Sequence, residues 1–136
     1  MPFVFENLPQ SGDIRLRVVA DSKTELFQGA LEGMLGIIKP EIQQGSFKVI
    51  KVDIQAADLA TLLVDFLNFV LAQMNIHLVA FSTIYFQSLT DQTLSAKLKG
   101  QPYKRLTEEI KAVTYYNLKV GLQSNGKWEA SVVFDI

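Results

Sequence analysis

Three carboxylates in the sequence could do chemistry together. The final segment, KWEASVVFDI, is an apolar strand pattern that ends on Asp135 and on the main-chain carboxylate of Ile136. Two neighbouring negative charges repel each other, and a bound cation relieves that repulsion. Asp13 opens another predicted strand after a flexible Ser-Gly pair, so its side chain can reach around the end of that strand.

If these two strand ends meet, the cluster offers only oxygen ligands. Hard oxygen donors favour Ca²⁺, Mg²⁺ or Mn²⁺ over Zn²⁺ or Cu²⁺. The residues therefore suggest a divalent-cation site at Asp13, Asp135 and Ile136. On spacing alone, a capping role for Asp13 and a loose chain end is the simpler interpretation, because more than a hundred residues separate the two segments.

Two helices are predicted from hydrophobic residues at helical spacing. The first is SKTELFQGALEGMLGII, in which Ser22 and Glu25 have the spacing of a capping box and Pro40 lies just beyond the end. Its glycines fall inside the helical pattern, which favours close packing over phosphate binding. The second helix covers residues 58–74, begins at Asp58 and is apolar almost all round, so we expect it to be buried against a sheet.

Six or seven strands are predicted, and they cluster late in the chain. DIRLRVVA alternates apolar and polar residues, and SFKVIKVDIQ does so with Phe47, Val49 and Val52 predicted to face inward. Four further strands are HLVAFSTIYFQSL, TLSAKLKG, KAVTYYNLKVGL and KWEASVVFDI, the last two joined by a hairpin at SNGK. The pattern predicts a single α+β domain over residues 1–136, a mainly antiparallel sheet with two helices packed on one face.

Other polar and aromatic candidates have simpler structural interpretations. His77 is predicted to be a polar residue at the end of the second helix. Tyr115 and Tyr116 should fall on opposite faces of one strand, which leaves at most one of them outside for stacking on bases. Arg15 and Arg17 share a face with Asp13, and we expect that face to be solvated.

Composition excludes several classes of function. The 136 residues carry a net charge of −1, which argues against strong direct nucleic-acid binding, and there is no cysteine for disulfide, thiolate or Cys-metal chemistry. The N-terminal MPFVFENLPQ does not resemble a signal peptide. The apolar segment Leu59–Leu71 is interrupted by polar residues, and we expect it to be too short and too polar to span a membrane. A cytoplasmic protein is the expectation.

The order of segments resembles the archease family over nearly the whole chain. IKAVTYYNLKV followed by WEASVVFDI is similar to the family's closing signature, in which Lys-Ala-Val/Ile-Thr-Tyr-His precedes a strand ending in Asp-Ile or Asp-Val. FENLPQSGDIRLRV resembles the family's opening stretch, where a His-Thr-Ala-Asp motif precedes an alternating strand. SKTELFQGALEGMLGII and DLATLLVDFLNFVLAQMN resemble its two helices.

This resemblance implies a role beside an RNA-splicing ligase that joins tRNA halves through a guanylylated histidine. Archeases promote formation of that guanylate and multiple turnover, and they hold a divalent cation with acidic residues near the terminus. By position, the family's metal-binding groups fall on Asp13, Asp135 and Ile136, and its motif lysine falls on Lys111. Lys111 would engage a phosphate or an acidic partner surface as a point charge.

The sequence departs from the family pattern at two places. Pro9 and Gln10 replace the acid and the histidine of the opening motif, and Tyr116 replaces the histidine that follows Lys-Ala-Val-Thr-Tyr. Losing an acid removes a possible oxygen ligand or a partner that orients one.

Three functions remain open from the sequence. The first is an accessory protein, not itself an enzyme, that holds a metal and assists an RNA-splicing ligase. The alternative is a metal-independent, chaperone-like module that binds a partner through sheet edges or an apolar patch. A third is a hydrolase that uses Asp13, Asp135 and a metal-activated water.

Overall fold

Residues 2–136 fold into two antiparallel sheets and two helices. The structure, a computed structural model, describes residues 2–136. The helices are α1 Lys23–Ile38 and α2 Leu59–His77. The strands are β1 Phe3–Gln10, β2 Asp13–Ala20, β3 Pro40–Ile42, β4 Lys48–Gln55, β5 Val79–Leu89, β6 Thr93–Leu106, β7 Ala112–Leu122 and β8 Trp128–Asp135.

The predicted α+β class with mainly antiparallel sheet is confirmed. The first sheet has the order β1-β2-β8-β7, and in the second β6 pairs with β4, β5 and the short β3. The described part of the chain has eight strands, above the predicted six or seven, because β1 and β3 lack a clear alternating pattern and were not predicted.

The helices lie between the two sheets. Helix α1 contacts β1, β2 and β8 of the first sheet and β5 of the second, and α2 contacts β7 of the first sheet and β4 and β5 of the second. One cluster of buried side chains runs through this layer from Phe3 to Phe134. Each sheet therefore has a helix-covered inner face and an outer face, in accord with the prediction of helices on one side.

Both helices begin at the residues that the sequence indicates. The Ser22 hydroxyl accepts a hydrogen bond from the Glu25 N–H (3.2 Å) and donates one to the Glu25 carboxylate (3.0 Å). Asp58 accepts a hydrogen bond from the Thr61 N–H (2.8 Å), and this bond lowers the pKa of Asp58. Each cap satisfies a backbone donor that the first helical turn leaves without a partner.

The predicted SNGK hairpin joins β7 to β8. The Gln123 N–H donates to the Lys127 carbonyl at 2.7 Å, which closes the loop. Gly126 has a φ of 83°, the left-handed conformation that glycine adopts without steric cost.

The inward face predicted for β4 is wrong at two of three positions. Val52 is buried, but Phe47 and Val49 are 57% and 54% exposed. Ile50 and Ile54 share the face of Val52 and pack against the core. Because side chains alternate along a strand, placing Phe47 and Val49 inward amounts to a one-residue shift, which turns every side chain to the opposite face.

Helix α2 is longer than the apolar segment Leu59–Leu71 that the sequence delimits. By length and composition it could cross a membrane, since an 18-residue window in it has a mean hydropathy of 1.6. In the structure eight of its residues are buried and the helix contacts strands of both sheets. This is the environment of a core helix, which explains the apolar composition without a membrane.

Glycines allow α1 to pack closely on the first sheet. A Cβ atom added at Gly33 would lie 2.5 Å from Cδ1 of Leu16, and one added at Gly29 would lie 2.8 Å from Cγ1 of Val18. Gly36, one turn further along, has room for a Cβ atom, which would lie 3.6 Å from its nearest neighbour, an ordinary van der Waals distance. Close packing therefore accounts for the first two glycines but not for Gly36.

Substituting these glycines by alanine should change stability in opposite directions. We expect Gly33→Ala to lower the free energy of unfolding by about 1–2 kcal/mol, because overpacking against Leu16 outweighs the gain in helix propensity. Gly36→Ala should raise it by about 0.5–1 kcal/mol, because it gains the propensity without the clash. Urea unfolding of both variants measures the difference, and equal shifts would contradict the packing explanation.

Candidate metal site

One row of residues crosses the first sheet at the end where β2 begins and β8 ends. Asp13 of β2 is directly opposite Asp135 of β8, and Asp135 is directly opposite Ala112 of β7. Residues directly opposite in an antiparallel pair have Cα atoms about 4.5–5.5 Å apart and side chains on the same face. The two predicted acids therefore lie together on the outer face, although 122 positions, 135 minus 13, separate them.

One oxygen of the Asp13 carboxylate, Oδ1, is buried without a hydrogen-bond partner among the described residues. Among the ion pairs formed within residues 2–136, none includes Asp13 or Asp135. A buried carboxylate oxygen without a donor is costly, and a second carboxylate beside it adds repulsion. A cation would relieve both.

The last residues are tied into the sheet. The Lys111 N–H donates to the Asp135 carbonyl at 2.8 Å, and the Ile136 N–H makes a long contact of 3.4 Å with the Gly12 carbonyl. The Ile136 side chain packs against the hydrophobic core. The main-chain carboxylate of Ile136 therefore belongs to an ordered segment next to Asp13 and Asp135, not to a frayed end.

Side chains alone supply only two carboxylates. Within the described residues, no group of three or more His, Cys, Asp and Glu side chains is close enough to hold a metal ion. A third donor would have to be the Ile136 carboxylate or a neutral oxygen. The residues present fit a hard cation, since every candidate donor is oxygen and one of them is buried without a partner.

Gln10 is a candidate that the sequence analysis missed. It is directly opposite Asp13 in the β1–β2 pair, so its side chain projects from the same face as the two acids. The amide oxygen of glutamine is a neutral ligand for Ca²⁺ or Mg²⁺. The Ser11-Gly12 pair in the sequence indicates a two-residue turn, and Gly12 has a φ of 81° there. That turn places Gln10 opposite Asp13 only if the residues before it form a strand, and β1 was not predicted.

Helix α2 holds the start of β7 against the row of acids. Asn68 donates from its amide nitrogen to the Val113 carbonyl (2.9 Å) and accepts from the Val113 N–H (3.0 Å). The Tyr115 hydroxyl donates to the Asp65 carboxylate, and this hydrogen bond is the main cause of a raised pKa for Tyr115. Asn68 thus serves β7 as a neighbouring strand would, by pairing both polar groups of one buried residue.

The prediction that at most one of Tyr115 and Tyr116 lies outside is wrong. Both are exposed, at 56% and 66%. The pairing of β7 with β8 shifts between Thr114 and Lys119, and Asn117 has a φ of 49° inside this bulge. A bulge interrupts the alternation on which the prediction depended.

The remaining candidate residues lie around this row or away from it. Arg15 donates to the Ser131 hydroxyl at 2.9 Å, and Arg17 forms an ion pair with Glu129. Lys111 is exposed directly before Ala112, and its bond to the Asp135 carbonyl places its main chain beside that acid. His77, the last residue of α2, forms a 3.1 Å hydrogen bond with Gln73.

Comparison with known proteins assigns the family. Residues 5–136 match the model of the Archease protein family (MTH1598/TM1083). The chain belongs to the archease family. An archease from Methanosarcina barkeri is 29% identical over 143 aligned residues, covering 97% of this chain and 95% of that protein. An archease from Pyrococcus abyssi is 29% identical over 141, covering 97% and 98%.

Solved structures show the same fold. The crystal structure of a Thermotoga maritima archease, described as a possible chaperone, has a TM-score of 0.69 at 18% identity and covers 96% of each chain. The solution structure of protein 1598 from Methanobacterium thermoautotrophicum has a TM-score of 0.67 at 17% identity, covering 97% of this chain and 98% of that one.

The archease-like segment Lys-Ala-Val-Thr-Tyr has a structural role at every position after the lysine. Ala112 pairs with Asp135, and Val113 is held by Asn68. The Thr114 hydroxyl donates to the Val133 carbonyl at 2.9 Å, and Tyr115 bonds to Asp65. The segment therefore fixes the strand that flanks the acids, and only Lys111 keeps its side chain for another task.

Removing the Asn68 amide should destabilise the protein. Asn68→Ala leaves the buried N–H and carbonyl of Val113 without partners, so we expect the free energy of unfolding to fall by about 1–3 kcal/mol. Asn75→Ala is the matched control, since Asn75 is exposed on the same helix, and it should change the value by less than about 0.5 kcal/mol. Urea unfolding followed by circular dichroism makes the comparison. Similar losses for both would contradict the pairing role.

Proposed function

We propose that this archease is an accessory protein of an RNA-splicing ligase and that it works with a divalent cation held by Asp13, Asp135 and the Ile136 carboxylate. It promotes guanylylation and turnover of the ligase and is not an enzyme in its own right. The observation that carries the proposal is the buried Asp13 oxygen without a partner, directly opposite Asp135. Membership of the archease family supports the ligase as partner.

The ligand set suits Ca²⁺, Mg²⁺ or Mn²⁺. Asp13 is half-buried and fixed at the start of β2, whereas Asp135 is exposed, so one ligand is rigid and the other accessible to a partner. When bound, the cation would supply a positive charge able to pair with a phosphate oxygen of the partner's nucleotide. Gln10 would add a neutral oxygen in place of the charged or imidazole group of the family motif.

Lys111 is proposed as a second contact for the partner. It is exposed, and its N–H is bonded to the Asp135 carbonyl, so its main chain is fixed beside the metal ligands. A lysine there can meet a phosphate or an acidic surface as a point charge. The acids and Lys111 together present a small patch of both signs at one end of the first sheet. We expect this to operate in the cytoplasm.

Replacing either acid should weaken metal binding. We expect wild type to bind a divalent cation in calorimetric titrations with Ca²⁺, Mg²⁺ and Mn²⁺, and Asp13→Asn or Asp135→Asn to lose about tenfold or more in affinity, because each change removes a charged oxygen ligand. The same concentration of ion should raise the melting temperature of wild type more than that of either acid variant.

Two control variants separate the site from general acidity. Asp53→Asn removes an exposed acid from the second sheet and should leave metal binding unchanged. Two residues added after Ile136 move the main-chain carboxylate and should weaken binding as the acid variants do. Equal heats of binding for wild type, Asp135→Asn and Asp53→Asn would contradict the proposed metal site.

Activation of the ligase should depend on the same residues. With the RNA-splicing ligase of the same organism and a guanylate donor, we expect wild type to increase guanylylated ligase and turnover, and Asp135→Asn or Lys111→Ala to lose most of that increase. The measurement is incorporation of labelled guanylate, with Lys119→Ala as control for an exposed lysine elsewhere on β7. No increase with wild type would overturn the ligase role.

A metal-independent chaperone-like module is the second candidate. Ile76 and Leu78, at the C-terminal end of α2, are 68% and 58% exposed, which provides apolar surface for a protein partner. Activation that survives chelation and the acid variants, but is lost in Ile76→Ser, would favour this function over the metal-dependent one.

A further inference from the structure

The outer face of the second sheet carries three lysines in neighbouring positions. Lys97 of β6 is directly opposite Lys51 of β4 on one side and Tyr85 of β5 on the other. In the next row Lys99 is opposite Val49 and Thr83. We call the surface formed by Lys51, Lys97, Lys99, Tyr85 and Phe47 the lysine face.

The positive charges of the lysine face are not balanced by ion pairs. None of the ion pairs formed within residues 2–136 includes Lys51, Lys97 or Lys99. Asp53 is the acid next in register along β4, opposite Ser95. On the outer face of the first sheet, by contrast, Arg17 pairs with both Glu6 and Glu129.

Protection of a sheet edge does not account for this arrangement. Lysines on edge strands prevent sheets from pairing with each other, and this could explain Lys51 on β4. Lys97 and Lys99 are on β6, which is paired with β4 and β5 along this stretch and has no edge to protect. Like charges directly opposite each other also destabilise a sheet, so the Lys51–Lys97 pair has a cost that an anionic ligand would remove.

Two solvent-exposed aromatic rings lie on the lysine face. Tyr85 is 52% exposed and Phe47 is 57% exposed. The Lys99 ammonium is 4.3 Å from the centroid of the Phe47 ring, so the ring and the charge form one surface. Cations with exposed aromatic rings on an open sheet suit single-stranded nucleic acid, since phosphates pair with the lysines and bases stack on the rings.

We propose that the lysine face binds single-stranded RNA. Charge complementarity identifies a polyanion, and Tyr85 and Phe47 favour RNA over an acidic peptide. With three lysines and a net protein charge of −1, the interaction is weak and sensitive to salt, which agrees with the expectation of no strong nucleic-acid binding from composition.

The lysine face and the acid row belong to different sheets. The acid row is on the outer face of the first sheet, the lysine face is on the outer face of the second, and the helices lie between them. Variants of one surface should therefore leave the other intact. A negative result for RNA binding would leave the proposed metal site standing, and a negative result for metal binding would leave the RNA proposal standing.

A matched pair of double variants tests the lysines. Fluorescence anisotropy with a labelled twelve-nucleotide oligouridine in low salt should show binding by wild type, with a slope of log K against log salt of about −2. Lys97→Gln with Lys99→Gln should weaken binding at least about tenfold and bring the slope to about −0.7. Lys104→Gln with Lys119→Gln removes the same charge elsewhere and should change the affinity less than about threefold.

Aromatic variants test stacking independently of charge. Tyr85→Ala should weaken binding about fivefold or more, whereas Tyr116→Ala, at a more exposed tyrosine outside the lysine face, should have no effect. Circular dichroism of each variant confirms that it is folded.

Three results would overturn the proposal. They are absence of binding by wild type at low salt, equal losses in the two double variants, and tighter binding of a labelled twelve-residue polyglutamate that is insensitive to Tyr85→Ala. The last result would assign the lysine face to an acidic protein partner.

Discussion

The pairing of β2 with β8 is the constraint on which the acid row depends. It brings Asp13 and Asp135 to opposite positions, and no local interaction could do so across the intervening chain. Most core-facing residues of these strands, including Leu16, Val132 and Phe134, are fully buried, and Ile14 and Trp128 near the strand ends are partly buried against the core. A shift of one residue would expose that apolar row, so burial sets the register and the register sets the distance between the two acids.

The surrounding elements keep this pairing in place from both sides. β1 pairs with β2 along its whole length, and β7 is held by hydrogen bonds to β8 and by Asn68 of α2. Helix α1 packs on the inner face through Gly29 and Gly33, where any larger side chain would collide with β1 or β2. The acids thus lie on the outer face of a sheet whose inner face is rigidly covered.

Sequence patterns predicted the elements well where one face is apolar and the other polar. β2 and β8 follow that rule, as do the capped starts of both helices at Ser22 and Asp58. The rule failed in β4, where exposed Phe47 and Val49 imitate a buried row, and at Tyr115 and Tyr116, where a bulge breaks the alternation. It also missed β1, whose exposed residues Val4, Phe5 and Leu8 hide the period.

For the candidate metal site, the sequence could nominate the residues but not their geometry. Residue types and the family resemblance pointed to Asp13, Asp135 and Ile136, since only hard oxygen groups were available. The opposition of Asp13 to Asp135, the buried oxygen of Asp13 and the place of Gln10 depend on strand register, which one sequence does not encode locally.

The pairing of β2 with β8, which are far apart in the sequence, also determines when the acid row can form during synthesis. β1 and β2 are joined by a two-residue turn and can pair as soon as both are synthesised, but β2 must wait for residues 128–135 to leave the ribosome. Closing so long a loop is slow compared with forming the hairpin. A nascent chain therefore carries Asp13 for most of its translation with one side of β2 unpaired, and Asp13 meets Asp135 only when the last strand docks.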